Sequence, residues 1–311
     1  MRREEVVVAL AGQPNVGKST IFNMLTGLNQ HVGNWPGKTI ERKVGHLELG
    51  DYALTIVDLP GTYSLTASSE EERIARDFII KERPRVVIAV VNAALLERSL
   101  YLLTELLLLP APVILVLNMI DVAEQEGIHI EPQVLEAALG IPVVPMVASK
   151  GEGRDELMRR IGALLDGKER YSPRHPSIAL EHQEILKEVG GLIERWTPNP
   201  YPRNWVAIKL LEGDEEVMEM MRGVLPQPVW EKITSLLFQH EDAIVDIASA
   251  RYRWIARMVR AAMLRPRVGQ LGITERLDRL ATHPFWGMGL LVGVLGVLFW
   301  LTYKVGGPLQ D

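Results

Sequence analysis

Gly12-Gln-Pro-Asn-Val-Gly-Lys-Ser19 fits the pattern GxxxxGK[ST], and it stands between an apolar strand, Val6–Ala11, and a helix starting at Lys18. No other feature of the 311 residues limits the fold as strongly. A glycine-rich loop in this position turns backbone N–H groups toward phosphate oxygens, and the helix N-terminus adds the positive end of its dipole. Lys18 is placed to reach β- and γ-phosphates, and the Ser19 hydroxyl to ligate Mg²⁺. Gly12, Gln13, Pro14, Asn15, Val16, Gly17 and Thr20 complete the expected cradle. An ordinary glycine turn would not need the strand before it and the helix after it.

The segments around the loop extend the same pattern. Strand-like runs at Val6–Ala11, Lys43–Leu49, Tyr52–Asp58, Val86–Val91, Val113–Asn118 and Val143–Met146 alternate with helical ones. Those helices read as Lys18–Thr26, Ser69–Lys81, Leu95–Leu109, Glu131–Leu139 and Asp155–Leu165. This predicts an α/β P-loop domain with a mostly parallel six-stranded sheet. The turn at Gly50-Asp51 implies a hairpin, hence one antiparallel edge strand. Gly167–Pro176 reads as a linker, after which strand signals stop. Ile178–Trp196, Glu215–Val224, Val229–Gln239 and Glu241–Leu264 carry apolar residues at helical spacing and predict an all-α domain.

Three more segments follow in the order a guanine-nucleotide site requires. Asp58-Leu59-Pro60-Gly61 closes one strand: Asp58 can hold Mg²⁺ through water, and the Gly61 N–H can meet a γ-phosphate. Asn118-Met119-Ile-Asp121 closes another, and a carboxylate at Asp121 can accept both N1–H and N2–H of guanine, a donor pair adenine lacks. Ala148-Ser149-Lys150 follows the last strand, where a backbone N–H can meet guanine O6. Each motif alone describes many plain loops. Four in order, each at a strand's C-terminal end, select guanine and exclude an ATPase.

Between the phosphate loop and the second predicted strand lies His31–Thr39, the expected mobile switch, with Thr39 as second Mg²⁺ ligand beside Gly37 and Lys38. Trp35 either belongs to that switch or packs on the domain surface. Thr62 occupies the position after Gly61 where many regulatory GTPases carry a water-orienting Gln, and no arginine finger is visible, so hydrolysis is expected to be slow. Asn15 sits where a side-chain carbonyl can hold a monovalent cation against the phosphates, or can instead shape the turn through its own backbone. Glu70-Glu71-Glu72 reads as an acidic helix start, with an ion-binding patch as the alternative.

Composition narrows the remaining classes. A net charge of −5 and pI near 5.9 argue against a broad nucleic-acid-binding surface, and the absence of Cys removes disulfides and thiolate metal sites. The seven histidines, at 31, 46, 129, 175, 182, 240 and 283, are scattered without ligand spacing and are expected mostly at the surface. Pro284–Tyr303 contains no charged side chain. As a helix it would reach roughly 30 Å, a bilayer core's thickness; the alternative is a buried core helix. Arg251, Arg253, Arg257, Arg260, Arg265, Arg267, Arg276 and Arg279 precede it and only Lys304 follows, which places the N-terminal part on the cytoplasmic side. A spanning helix so near Asp311 would make the sequence given a piece of a longer chain.

The chain resembles, over essentially its whole length, the N-terminal part of the bacterial ferrous iron transport protein B (FeoB) family. The resemblance is carried by GQPNVGKS, by VGNWPGKTIE at Val32–Glu41 and by DLPGTYSL at Asp58–Leu65. It is carried further by NAALLERSLYLL at Asn92–Leu103, ASARYRWI at Ala248–Ile255 and TERLDRLATHPFWG at Thr274–Gly287. It implies a GTPase domain at 1–167, a linker at 168–176 and a helical domain at 177–270 that favours GDP retention. A juxtamembrane segment at 271–283, a first transmembrane helix at 284–303 and its continuation at 304–311 would follow, in the bacterial inner membrane. It implies GTP/GDP and Mg²⁺, and a K⁺ ion held by Asn15 with backbone carbonyls of Asn34 and Trp35. Fe²⁺ would be the transported ion, with lipid, the small companion protein FeoA and a second copy as candidate partners and no nucleic acid. A soluble GTPase of ribosome assembly or RNA modification shares the phosphate loop, but predicts a basic tail that is missing and leaves Pro284–Tyr303 unexplained.

Overall fold

A computed structural model describes residues 3–27, 30–66, 68–264, 283 and 286–306. Met1–Leu264 form one compact unit and Arg265–Asp311 a second.

In the first unit, a seven-stranded sheet runs in the order β2-β3-β4-β1-β5-β6-β8. Its strands are β1 (Glu4–Gly12), β2 (Gln30–Asn34), β3 (Glu41–Leu49), β4 (Tyr52–Asp58), β5 (Val86–Asn92), β6 (Val113–Asn118) and β8 (Val143–Met146). β1 pairs parallel with β4 and β5, and β6 parallel with β5 and β8. β3 pairs antiparallel with both β4 and β2. The expected six strands with one antiparallel edge are therefore corrected to seven: β3 is the one strand that runs against the rest, and it lies inside the sheet because β2 forms the edge beyond it. β2 escapes a periodicity reading because its one large apolar side chain, Val32, is exposed; the strand exists through its ladder to β3.

Alternation along the strands builds a core on each face. Val6, Val8 and Leu10 of β1 join Ile56, Val86, Ile88, Val90, Ile114 and Val116 beneath α1 (Lys18–Thr26) and α6 (Arg154–Leu165). Ala9 and Ala11 join Val57, Val87, Ala89, Val91, Leu115 and Leu117 beneath α2 (Glu70–Glu82), α3 (Leu96–Leu106) and α5 (Pro132–Leu139). Burial on both faces is what parallel strands flanked by helices require. A short α4 (Ile120–Gln125) follows β6, between the predicted strand and the helix at Glu131–Leu139.

The second core continues without a break into the helical region, formed by α7 (Leu180–Ile193), α8 (Arg203–Leu211), α9 (Glu215–Val224), α10 (Gln227–Gln239) and α11 (Ala243–Ala262). α11 packs on α3 and α5, and α7 on α8 and α10. The strand signal does not end at the linker: β9 (Met263–Leu264) pairs antiparallel with β7 (His129–Ile130) and returns the chain to the α/β layer. The linker is also bound rather than free. Ser172 and Arg174 donate their N–H groups to Gly140 and Leu139, and the Tyr171 hydroxyl accepts the Val113 N–H.

In the second unit Trp286–Gly306 forms a helix, α12, of 21 residues, on which the apolar side chains from Leu290 to Leu301 are exposed. Counted over the described residues alone, no helix is long and apolar enough to cross a membrane. Pro284 and the side chain of Tyr303, which bound the expected span, lie outside those residues, as do residues 265–282 and 307–311.

Candidate nucleotide-binding site

The phosphate loop leaves β1 at Gly12 and enters α1 at Lys18. Two of its residues take left-handed backbone, Asn15 at φ 64° and Gly17 at φ 86°. Asn tolerates that region better than most residues, and Gly takes it freely. At Gly17 there is a second reason: an added Cβ would stand 2.2 Å from Asn118 Nδ2.

That contact marks the centre of the site. Asn118, 3% exposed at the end of β6, donates from Nδ2 to the Val16 carbonyl at 2.9 Å and accepts the Ala148 N–H on Oδ1 at 3.0 Å. One side-chain amide thus ties the phosphate loop to the two segments expected to read the base. Asp121 stands one turn on, at 3.1 Å from Lys150 Nζ. The hydrogen bond from Lys150 holds its carboxyl below the usual carboxylate range, and the same bond raises the Lys150 ammonium. Asp121 is therefore an ionised double acceptor at neutral pH. Met119 bridges the two at φ 60°, and Ala148–Lys150, with Ser149 exposed, form a 3₁₀ turn.

The phosphate end is equally connected. Lys18 Nζ lies 2.6 Å from Asp58 Oδ1 and 2.6 Å from the Leu59 carbonyl. The Thr62 N–H donates to the Gly12 carbonyl, and a Cβ on Gly61 would press on Pro14 at 3.2 Å. Pro60 and Gly61 are half-buried, while Pro14, Ser19 and Thr20 are exposed. Gln13 does not offer its side chain to the site: it is buried and donates to the Arg98 carbonyl, anchoring the loop to α3.

The expected switch is engaged elsewhere. Trp35 is 8% exposed and packs edge-on against Phe78 of α2, with the Arg42 guanidinium 5.0 Å from its ring centre. Of its two readings, packing describes this conformation. The Trp35 carbonyl accepts the Lys38 N–H at 2.9 Å, and the Lys38 ammonium pairs with Glu70. Gly37, Lys38 and Thr39 thereby form an exposed turn hitched to the start of α2, following Asn34 at the end of β2. The acids at that helix start are structural here. Ser69 caps the helix by accepting the Glu72 N–H, and Glu72 accepts from Ser64 Oγ and the Ser68 N–H.

Sequence reasoning missed the charges that connect the site to the helical region. Glu105 of α3 is fully buried; it accepts the N–H of Leu65, seven residues past Asp58, and lies 3.2 Å from Lys209 of α8 and 3.5 Å from Arg251 of α11. Glu212 pairs with the same two cations. Arg76 of α2, 1% exposed, reaches Glu216 of α9 at 2.8 Å. The signal was present: Glu105 and Lys209 are lone charges inside apolar helical runs, TELLLL and VAIKLL.

Comparison with known proteins identifies this arrangement. A family profile described as "Ferrous iron transport protein B" matches residues 6–161, and one described as "FeoB cytosolic helical domain" matches residues 181–263. The chain belongs to the ferrous iron transport protein B family. Similar FeoB proteins include the Fe(2+) transporter FeoB of Shigella flexneri and that of Escherichia coli K12. Each is 36% identical over 99% of this chain and 40% of its own length. The chain thus spans about 40% of the length of the curated relatives it matches. Among solved FeoB structures, the cytosolic domain from L. pneumophila covers 83% of this chain and all of its own, with 35% identity and a TM-score of 0.74. A mutant of S. thermophilus NFeoB bound to GDP gives the same coverage, 34% identity and a TM-score of 0.75.

Proposed function

We propose that this chain is the cytoplasmic GTP-binding and hydrolysing part of a ferrous-iron transporter of the bacterial inner membrane, in which the nucleotide state gates Fe²⁺ uptake. The observation that carries this reading is the Asn118 bridge, which joins the phosphate loop to the base-reading segments in a chain whose relatives are named Fe(2+) transporters. Residues 1–167 would be the GTPase domain, 168–176 the linker and 177–270 the helical domain that retains GDP. Residues 271–283 would lie at the membrane surface and 284–303 span it, with 304–311 continuing beyond. Support for the span is the 21-residue length of α12 and its exposed apolar side chains. A second copy and the small protein FeoA are candidate partners.

In this reading Lys18 exchanges Asp58 and the Leu59 carbonyl for the β- and γ-phosphates of GTP. Gly61 presents its N–H to the γ-phosphate, Asp121 accepts the guanine N–H pair and Ala148 meets O6. Ser19, Thr39 and, through water, Asp58 would hold Mg²⁺; the buried Asp58 carboxylate beside Lys18 fits that duty. Asn15, with the carbonyls of Asn34 and Trp35, would hold K⁺. The Trp35 carbonyl already accepts the Lys38 N–H, so K⁺ would share that oxygen through its second lone pair. When bound, the two ions supply positive charge where phosphoryl transfer builds negative charge. Thr62 in place of a water-orienting Gln makes the reaction slow without them.

The left-handed backbone of Asn15 alone would account for an asparagine there, so the test must separate turn from ligand. Asn15→Gly keeps that backbone accessible and removes the carbonyl. In a phosphate-release assay at equal ionic strength, KCl should exceed NaCl at least tenfold for the wild type, about 1.4 kcal/mol of barrier. Asn15→Gly should lose the difference while GTP affinity stays within a few-fold. Equal rates in the two salts remove the K⁺ role, and no release of phosphate removes the enzyme.

A further inference from the structure

The histidines that are scattered along the sequence are not all scattered in space. Among the described residues, His182, His240 and Asp242 each present a ligand atom within 4.8 Å of the others. They come from three element ends: His182 from the first turn of α7, His240 from the C-terminus of α10, and Asp242 from the residue before α11. We propose that these residues form a binding site for one divalent transition-metal ion of borderline softness, of the Zn²⁺ or Fe²⁺ kind, in the helical region. The site is separate from the nucleotide site and does not rest on the transporter reading.

Each donor is prepared in a different way. His182 is 4% exposed, and its Nδ1 is 2.9 Å from Asp246 Oδ2. Asp246 is itself held by the Ala179 N–H at 2.7 Å and by Arg253 at 3.2 Å. A carboxylate on one imidazole nitrogen fixes the tautomer and leaves the other nitrogen as acceptor, the outer-shell arrangement of metal-binding histidines. That other nitrogen, Nε2, faces Asp242 Oδ1 at 3.4 Å. Asp242 heads α11 but makes no capping bond with its side chain, the ordinary use of an aspartate there. The His240 ring stands nearly perpendicular to that of His182, at 6.2 Å between centres. Its Nδ1 lies 3.7 Å from Glu181 Oε1, a second carboxylate at the rim.

Metal bonds to nitrogen and oxygen of about 2.1 Å place tetrahedral donors roughly 3.4 Å apart. The His182–Asp242 pair already has that spacing, and His240 closes the remainder by an adjustment within the 4.8 Å limit. Two imidazoles and one carboxylate suit Zn²⁺, Fe²⁺, Co²⁺ or Ni²⁺; Mg²⁺ and Ca²⁺ prefer all-oxygen shells. With no cysteine in the chain, no thiolate competes for the ion. The Asp242 side chain is 76% exposed, which leaves an entry path. An ion there would pin the start of α7 to the tight α10–α11 elbow.

The competing reading is a protonated His182 shared between two aspartates, and metal titration separates the two. The full chain in detergent, chelator-stripped and nucleotide-free, is titrated with Zn²⁺ against a chromophoric chelator in the presence of millimolar Mg²⁺. One equivalent should bind at micromolar affinity or tighter and raise the melting temperature. His240→Gln, at a half-buried position, and Asp242→Asn, at an exposed one, leave the His182–Asp246 pair intact and should each weaken binding at least tenfold. His182→Gln should weaken it further. No stoichiometric binding at micromolar Zn²⁺ overturns the site, and so does binding unchanged in both the His240 and the Asp242 variants.

Discussion

Guanine presents N1–H and N2–H side by side, and an ionised carboxylate accepts both, whereas an amide accepts one and turns a donor toward the other. Asp121 is kept ionised by Lys150, and its neighbour Asn118 is spent on the loop rather than the base. Asp121→Asn should therefore weaken GTP binding at least tenfold, about 1.4 kcal/mol, and shift preference toward xanthine nucleotides, whose 2-oxo group accepts the amide donor. Competition titration with GTP, XTP and ATP checks this, and an unchanged preference for GTP in the variant would contradict the assignment of Asp121. Asp121 and Asn118 were legible in the sequence because their motif sits at a strand end. The grip of Asn118 on Val16 was not, since those residues are far apart in the chain and meet only when β1 and β6 flank β5.

At the scale of elements, α3 is the joint between the nucleotide site and the helical region. Glu105 holds the Leu65 N–H after the DLPG segment and, with Glu212, neutralises Lys209 and Arg251. Two acids and two bases buried together are tolerable; two bases left with one acid are not. Removing one partner of such a buried cluster costs about 3 kcal/mol or more. Glu105→Gln should lower the urea midpoint of the full chain accordingly and, by leaving one amide oxygen where two carboxylate oxygens served Leu65 and Lys209, speed GDP release several-fold in a stopped-flow chase. A wild-type midpoint with wild-type release would show that the contacts carry no coupling. The partner element α8 was invisible to periodicity for a related reason. Trp205, Val206, Ala207, Lys209, Leu210 and Leu211 are all buried, so the helix has little polar face to set a 3.6-residue rhythm, and Pro202 just before it reads as a breaker.

For the molecule as a whole, the division at Leu264 separates a unit with buried cores on both faces of its sheet from one whose helix exposes its apolar side chains. Without residues 284–311 the remainder should stay in solution without detergent and still bind GTP, while the full chain should need detergent to stay dispersed. Sedimentation of both proteins with and without detergent checks this. A full chain that remains in the supernatant without detergent would contradict the proposed span.

The sequence by itself determined the α/β order, the phosphate loop, the three motifs that follow it and the family, because each is a local pattern whose chemistry depends on near neighbours. Tertiary structure alone decided the edge strand β2, the attachment of Trp35 and Lys38 to α2, the buried Glu105 cluster and the meeting of His182 with His240 and Asp242. The physical reason is the same in each case. A ladder partner, a packing face, a neutralising charge or a shared ligand position comes from a segment far away in the chain, and only folding brings the two together.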